Sequence, residues 1–426
     1  MDAQGRTRSC FRDRRPRSEV TPRGSKQICI PMTRDMYDDM WHDAGKVRLF
    51  LRPLIEQSPE LFPPGIVEGY QLTGHLPESV KMPGIRLRQL RVGGKTYTLR
   101  PSFVMSYMTG TVEQLEYPLL LLSLGVPCWV VSEIFGRNDM FWHRHLERLG
   151  RNSLVGTTVR DPDKLPQHLV ADEHHADWCG QKGYVAFTAG AGCVLGVALT
   201  DAADEPHLRE AYGKFADESR QVRPEYAPET VNTDGWWATS NAFAALFQGI
   251  VTILCFLHGF LKIRDRCRKA HELHRQVWDV YRAATADEFR QRMAAFRAWF
   301  EQGTWPAAVQ EMVAKLWKRA SQYVVSYDHP GSHRTSNLVD RLMNRLTRLL
   351  YAGRGLHGHQ HSSELRLRGW ALLQNFRPFA PRSGHRRTYQ SPAHRLNQKQ
   401  YHAHWLHNLQ VSASLTGRSN STHRKR

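Results

Sequence analysis

Short apolar runs separated by turn residues dominate the middle of the chain. Segment 167–200 reads QHLVADEHHADWCGQKGYVAFTAGAGCVLGVALT. An apolar run over 168–171 ends on Asp172, a Gly-rich turn follows, and β-rich runs cover 183–188 and 193–200. This pattern predicts three strands joined by tight connections, with a carboxylate closing the first. Residues 204–220 place Leu208, Ala211, Tyr212 and Phe215 on one helical face. A short extended run, 230–233, ends on a second acid, Asp234. Residues 238–247 read as a helix, and 250–256 as an apolar strand running into Cys255-Phe256-Leu257-His258. Three strands, a helix, a strand, a helix and a strand predict a mixed α/β sheet. Ends of neighbouring strands converge in such a sheet, which can bring Asp172 and Asp234 together.

The flanking segments have other periodicities. Residues 28–110 form a mixed module: a helix over 34–54 carrying Met36, Met40, Val47 and Leu51, and a hairpin of 85–90 with 96–99 around Gly93-Gly94. Residues 111–150 predict three helices, 112–124, 128–135 and one capped by Asn138 or Asp139 that runs to Leu149. The last two are spaced as a helix-turn-helix, with Trp142, His143, Arg144 and Arg148 suited to phosphates and base edges in a major groove. Residues 259–330 are helical in pattern throughout. A helix over 338–351, capped by Ser336 or Asn337, carries Asp340 in its first turn, and a helix over 363–375 carries Glu364. The ends, 1–27 and 377–426, are basic and rich in turn residues, the first disordered until it meets an anion and the second only partly ordered.

Composition sharpens this outline. With 426 residues the chain has length for two or three domains. The apolar run 119–131 is too short to span a bilayer and is broken by Ser123, Gly125 and Pro127, so no membrane partner is expected. The formal charge is +19, and 59 Lys and Arg accompany 12 Trp, which points to an acidic polymer as partner. Seven cysteines with no Cys-x-x-Cys spacing fit a reducing, cytoplasmic setting better than a disulfide framework or a zinc ribbon. Three acids from distant positions, Asp172, Asp234 and Asp340, are suited to hold divalent metal for phosphoryl transfer, with two Mg²⁺ (or Mn²⁺) ions activating the attacking oxygen and stabilising the leaving one. Carboxylates clustered without a cation would repel one another. For Asp340 and Glu364 the competing reading is a helix-capping or surface carboxylate. His174 and His175, beside Asp172, are candidate contacts to a phosphate.

The order of elements, with Asp172 and Asp234 on strand ends, resembles the RNase H-like core of DDE/D transposases. Cys255-Phe256-Leu257-His258 is similar to the Cys-x-x-His after the fifth strand in Mutator-like and hAT-like transposases and related bacterial insertion-sequence enzymes. Arg334-Thr335-Ser336-Asn337-Leu338-Val339-Asp340 resembles the segment that carries their third acid, except that Asp340 stands where Glu is usual, which leaves Glu364 as the alternative third acid. The resemblance covers residues 167–376. It implies an RNase H-like mixed sheet with helices on both faces (165–258), an all-helical insertion (259–330) and closing core helices (331–376). It also implies metal-dependent cleavage and strand transfer of double-stranded DNA by a homo-oligomer. His258 is then expected near the DNA.

Overall fold

Two sheets organise the protein, whose computed structural model describes residues 26–414. The first belongs to the N-terminal module. It is built from β1 (Gln27–Ile30), β2 (Gln71–His75), β3 (Arg88–Val92) and β4 (Lys95–Pro101), in the order β1-β4-β3-β2. Gly93 and Gly94, at φ 52° and 76°, form the expected hairpin turn between β3 and β4. The expected single helix is two. Thr33 caps α1 (Arg34–Met40) and Asp43 caps α2 (Ala44–Gln57), each side chain accepting from backbone N–H groups of the first turn. The basic arm up to residue 25 lies outside the described residues.

Four helices follow: α3 (Val112–Ser123), α4 (Cys128–Phe135), α5 (Asp139–Gly150) and the short α6 (Leu154–Thr158). The second sheet then begins with β5 (His168–Trp178), β6 (Gln181–Gly190) and β7 (Cys193–Thr200). Helix α7 (Glu205–Val222) leads to β8 (Thr230–Thr233), and α8 (Trp237–Leu246) to β9 (Val251–Leu254). The strand order is β7-β6-β5-β8-β9, with β5–β6–β7 antiparallel and β5–β8–β9 parallel. The expected turn directly after Asp172 is not there. Strand β5 continues to Trp178, pairing Asp172 with Phe187 and Trp178 with Gln181, and turns at Cys179-Gly180. The polar stretch 172–178 stays extended because the ladder to β6 satisfies its backbone, whatever its side chains prefer.

A helical unit separates β9 from the end of the core: α9 (Phe256–Arg266), α10 (His271–Tyr281), α11 (Ala286–Glu301), α12 (Ala307–Lys318) and α13 (Ala320–Val324). It encloses its own apolar cluster, with Phe256, Phe289, Phe296, Phe300 and Leu316. The chain then forms α14 (Asn337–Ala352) and α15 (Gln360–Phe376). Every residue of α15 from Ser363 to Phe376 is buried, so it is a central helix and not an amphipathic one.

Each face of the second sheet is covered by helices. Val170, Val185 and Phe187 point toward α3, α5, α14 and α15. Leu169, Ala171 and Ala186 point toward α7 and α8. Strand alternation sorts these two sets. The segment after residue 377, expected to be only partly ordered, folds back in its described part, up to residue 414. It forms α16 (Pro392–Asn397) and α17 (Trp405–Ser412), and Ser414 Oγ accepts from Cys29 N at 2.9 Å while Trp405 Nε1 donates to Glu116. Among the described residues no helix is long and apolar enough to cross a membrane.

Candidate metal centre

Strand register brings the first two acids together. β5 and β8 run parallel with Val170 opposite Asn232. Two residues further on, Asp172 continues β5 and Asp234 stands just past the end of β8, close enough for their charges to interact. Each carboxylate is fixed locally. Asp172 Oδ1 accepts from Glu173 N at 2.8 Å, and Asp234 Oδ1 accepts from Trp236 N at 2.8 Å. Gly235 makes the exit from β8 possible: its φ is +89°, and a Cβ there would lie 2.4 Å from Leu254 Cδ1.

The third corner comes from β9 and α14. The strand expected over 250–256 ends at Leu254. Cys255 N bonds Thr233 O at 2.8 Å, then α9 starts at Phe256, whose N–H donates to Arg334 O at 3.1 Å. The first turn of α9 thereby carries His258 back over the strand ends. Arg334 is itself clamped between the rings of Tyr281 and Tyr327, 4.6 and 4.5 Å from its guanidinium, and donates to the Tyr281 and Ala283 carbonyls. This anchors segment 334–340 to the helical unit. Ser336 stands at the N-cap of α14 as expected, but its side chain makes no capping bond. Its N–H donates to Cys255 Sγ at 3.1 Å, and its hydroxyl donates to Asp340 Oδ2 at 2.8 Å and lies 3.5 Å from His258 Nδ1.

The result is a three-donor group. Ligand atoms of Asp172, His258 and Asp340 all lie within 4.8 Å of one another, a group that could hold a metal ion. Asp234 lies beside it and acts on Asp172 and His258 through its charge, but stands outside that set. Its expected place among the ligands is therefore adjacent, not within the three-donor group. His258, expected near the DNA, is a member of the group.

The electrostatics suit a cation. Burial, then the charges of Asp234 and Glu173, push the Asp172 carboxyl up to about 7. The hydrogen bond to Cys255 leads in raising His258 to about 9. Burial opposes ionisation of Cys255, but the bonds with His258 and Ser336 outweigh it and lower the thiol. A protonated imidazole thus offsets the carboxylates. Two carboxylates and one imidazole, with a third carboxylate alongside, make a donor set that could hold a metal ion once the imidazole gives up its proton.

Glu364 is not part of this. It is buried on α15 against β7, where it accepts from Leu199 N at 3.2 Å and pairs with Lys214 Nζ at 2.6 Å. β7 is two strands from β5, so the acid faces the wrong region of the sheet. His174 Nε2 lies 3.4 Å from Thr347 Oγ1 on α14, and His175 packs on Tyr184 at 4.9 Å. Sequence reasoning overlooked Glu173. It points to the opposite face from Asp172, accepts from Thr239 Oγ1 at 2.7 Å and from the Tyr212 hydroxyl, and so ties β5 to α7 and α8. The Asp-Glu pair was the available signal, since alternation sends the second acid to the other face.

The helix-turn-helix reading needs correction at its recognition residues. Trp142 is 2% exposed in the core, with Nε1 donating to Gly136 O. His143 faces Glu147, and Arg148 lies over Tyr107 at 5.9 Å. Of the four, Arg144 is exposed. Helix α5 is clamped to α15 where Gly150 and Gly369 let the backbones meet. The exposed positions of this unit mix apolar Trp129, Ile134 and Met140 with polar Glu133, Arg137, Asn138 and Asp139.

No protein-family model matches the chain, and no curated protein is significantly similar to it.

Proposed function

We propose that the chain is a metal-dependent DNA-processing enzyme of the DDE/D transposase type, cleaving a DNA strand and transferring the freed end. The observation that carries this reading is the convergence of Asp172, His258 and Asp340, with Asp234 on the neighbouring strand end, from four segments far apart in the chain. The sheet supports it, because three antiparallel strands followed by two parallel ones is the connectivity an RNase H-like core needs. So does the helical unit between β9 and α14, which stands where the resemblance expects an insertion before the third acid.

Asp172 and Asp340 would hold a divalent cation, and Asp234 a second beside Asp172. Such cations supply Lewis acidity to the phosphate and activate the attacking oxygen. The chain itself positions the carboxylates, Asp172 on β5, Asp234 just past the end of β8 and Asp340 in the first turn of α14. In the first step water oxygen displaces the 3′ oxygen from phosphorus, leaving a 3′-hydroxyl and a 5′-phosphate. In the second, that hydroxyl oxygen bonds to a target phosphorus and displaces the target's 3′ oxygen, which takes up the proton and leaves as a new 3′-hydroxyl. Double-stranded DNA, both element ends and target, is the substrate, and a homo-oligomer would pair two ends.

The test is strand cleavage of element-end duplexes in Mg²⁺. Asp172→Ala and Asp234→Ala are expected to abolish cutting and leave binding intact. Full activity in both variants sinks the assignment, and cutting without joining of 3′ ends to a target reduces it to a hydrolytic nuclease.

A further inference from the structure

The helix that delivers Asp340 also carries a row of arginines. Arg341, Arg345 and Arg348 follow at i, i+4 and i+7, so they share one side of α14. All three are exposed, while Val339, Leu342, Leu346 and Leu349 on the other side are buried. Arg377, just past the end of α15, joins them near Ser123, to which its Nη1 donates at 3.5 Å. The crowding is unfavourable within the protein. Burial first, then the charges of Arg341 and Arg348, lowers Arg345, and burial with the charges of Arg345 and Arg348 pulls Arg377 down to about 10.

A solvated charged face is the ordinary explanation for exposed arginines, and the helical unit shows what that looks like in this chain. There Arg275 pairs with Glu272, Arg282 with Asp279, Arg290 with Asp287, Arg292 with Glu288 and Arg297 with Glu301. On α14 no such pairing occurs. Its one acid, Asp340, is committed to Ser336, and among the described residues no carboxylate lies within ion-pair distance of Arg341, Arg345, Arg348 or Arg377. Like charges gathered without partners are a surface prepared for an external polyanion.

We propose that the arginine row of α14 is the track that seats the phosphate backbone of DNA and leads it to the carboxylates. The proposal deepens the transposase reading and rests on it for the identity of the polyanion. Seven residues of helix extend about 10 Å, which matches about three phosphates of one strand. The row begins one residue after Asp340, so a strand lying along it would reach the three-donor group directly. Exposed guanidinium groups aligned in this way contact phosphates without reading bases, so the track sets position and affinity and not sequence preference.

The test is fluorescence anisotropy with a labelled duplex in EDTA, read as a function of salt between about 50 and 200 mM. The triple variant Arg341→Ala/Arg345→Ala/Arg348→Ala is expected to lose affinity and to flatten the log–log salt slope by about two to three. Replacing the same residues by Lys should restore most of the slope, which separates charge from folding. A control triple on the helical unit, Arg275→Ala/Arg282→Ala/Arg290→Ala, should leave the slope unchanged. Equal slopes for the two alanine triples overturn the track, as does wild-type protein that prefers phosphatidylserine vesicles to duplex. Binding in EDTA needs no catalysis. A protein that binds through this row and never cuts therefore sinks the transposase reading alone, whereas one that cuts with an unaltered slope sinks the track alone.

Discussion

Neutralising Asp172 without changing its shape should make the metal-free protein more stable. In Asp172→Asn the amide oxygen still accepts from Glu173 N, so only the charge is lost. Burial and the neighbouring acids raise the folded-state value from 3.8 to about 7. The raised value sets the sign. Between 3.8 and about 7 the unfolded chain has already released the proton that the folded protein retains, so folding stability falls as pH rises through this window and levels off above it. A shift of about three units at about 1.4 kcal/mol each amounts to about 4 kcal/mol above pH 7. For a chain of this size that is an increase of about 4 °C in Tm. The assay is thermal or chemical denaturation in EDTA at pH 8 and again at pH 4, where the difference should vanish. Adding Mg²⁺ should then stabilise the wild type and leave Asp172→Asn unmoved, because a cation that binds only the folded state stabilises it by mass action. A variant less stable than wild type at pH 8 without metal would refute the charge-repulsion account of the site.

Two further outcomes test the packing around that site. Gly369→Ala would place a Cβ 2.0 Å from the Leu146 carbonyl oxygen, whereas Gly213→Ala meets nothing nearer than Leu246 Cδ2 at 3.8 Å. The first should cost about 2 kcal/mol or more by forcing α5 from α15, and the second should gain up to about 1 kcal/mol from helix propensity. Equal denaturation midpoints would show that α5 is not clamped. Burial, with the Arg148 charge, lowers His145 to about 4, below its ordinary 6.5, so its contribution is complete above 6.5 and lost as pH falls toward 4. That loss is about 3 kcal/mol. Urea midpoints followed across this window should fall more steeply for wild type than for His145→Gln, and matching slopes would exclude it.

Much of the fold was legible because it follows from local rules. The β-rich run at 183–188 and the apolar run at 193–200 became β6 and β7, the amphipathic 204–220 became α7 with Asp204 as cap, and Gly93-Gly94 turned a hairpin. Turn chemistry and periodicity act within a few residues, so the sequence carries them openly. Asp172 and Asp234 could be singled out as acids at the ends of apolar runs, because a charge there is hard to account for by packing, and Asp340 through the resemblance of segment 334–340. Long-range register decided the rest. Alternation sends Asp172 to one face and Glu173 to the other, but which face meets α14 depends on how β5 pairs with β6 and β8. Glu364 and Asp340 are comparable as sequence; one is spent on Lys214 beside β7, the other reaches His258 through Ser336. The polar-looking Trp142–Arg148 stretch became a core helix because two glycines let α15 approach it. Sequence by itself determined the elements, the excess of positive charge and the candidate acids. Only the tertiary structure decided which acids meet, because that depends on strand register and helix contacts between residues far apart in the chain.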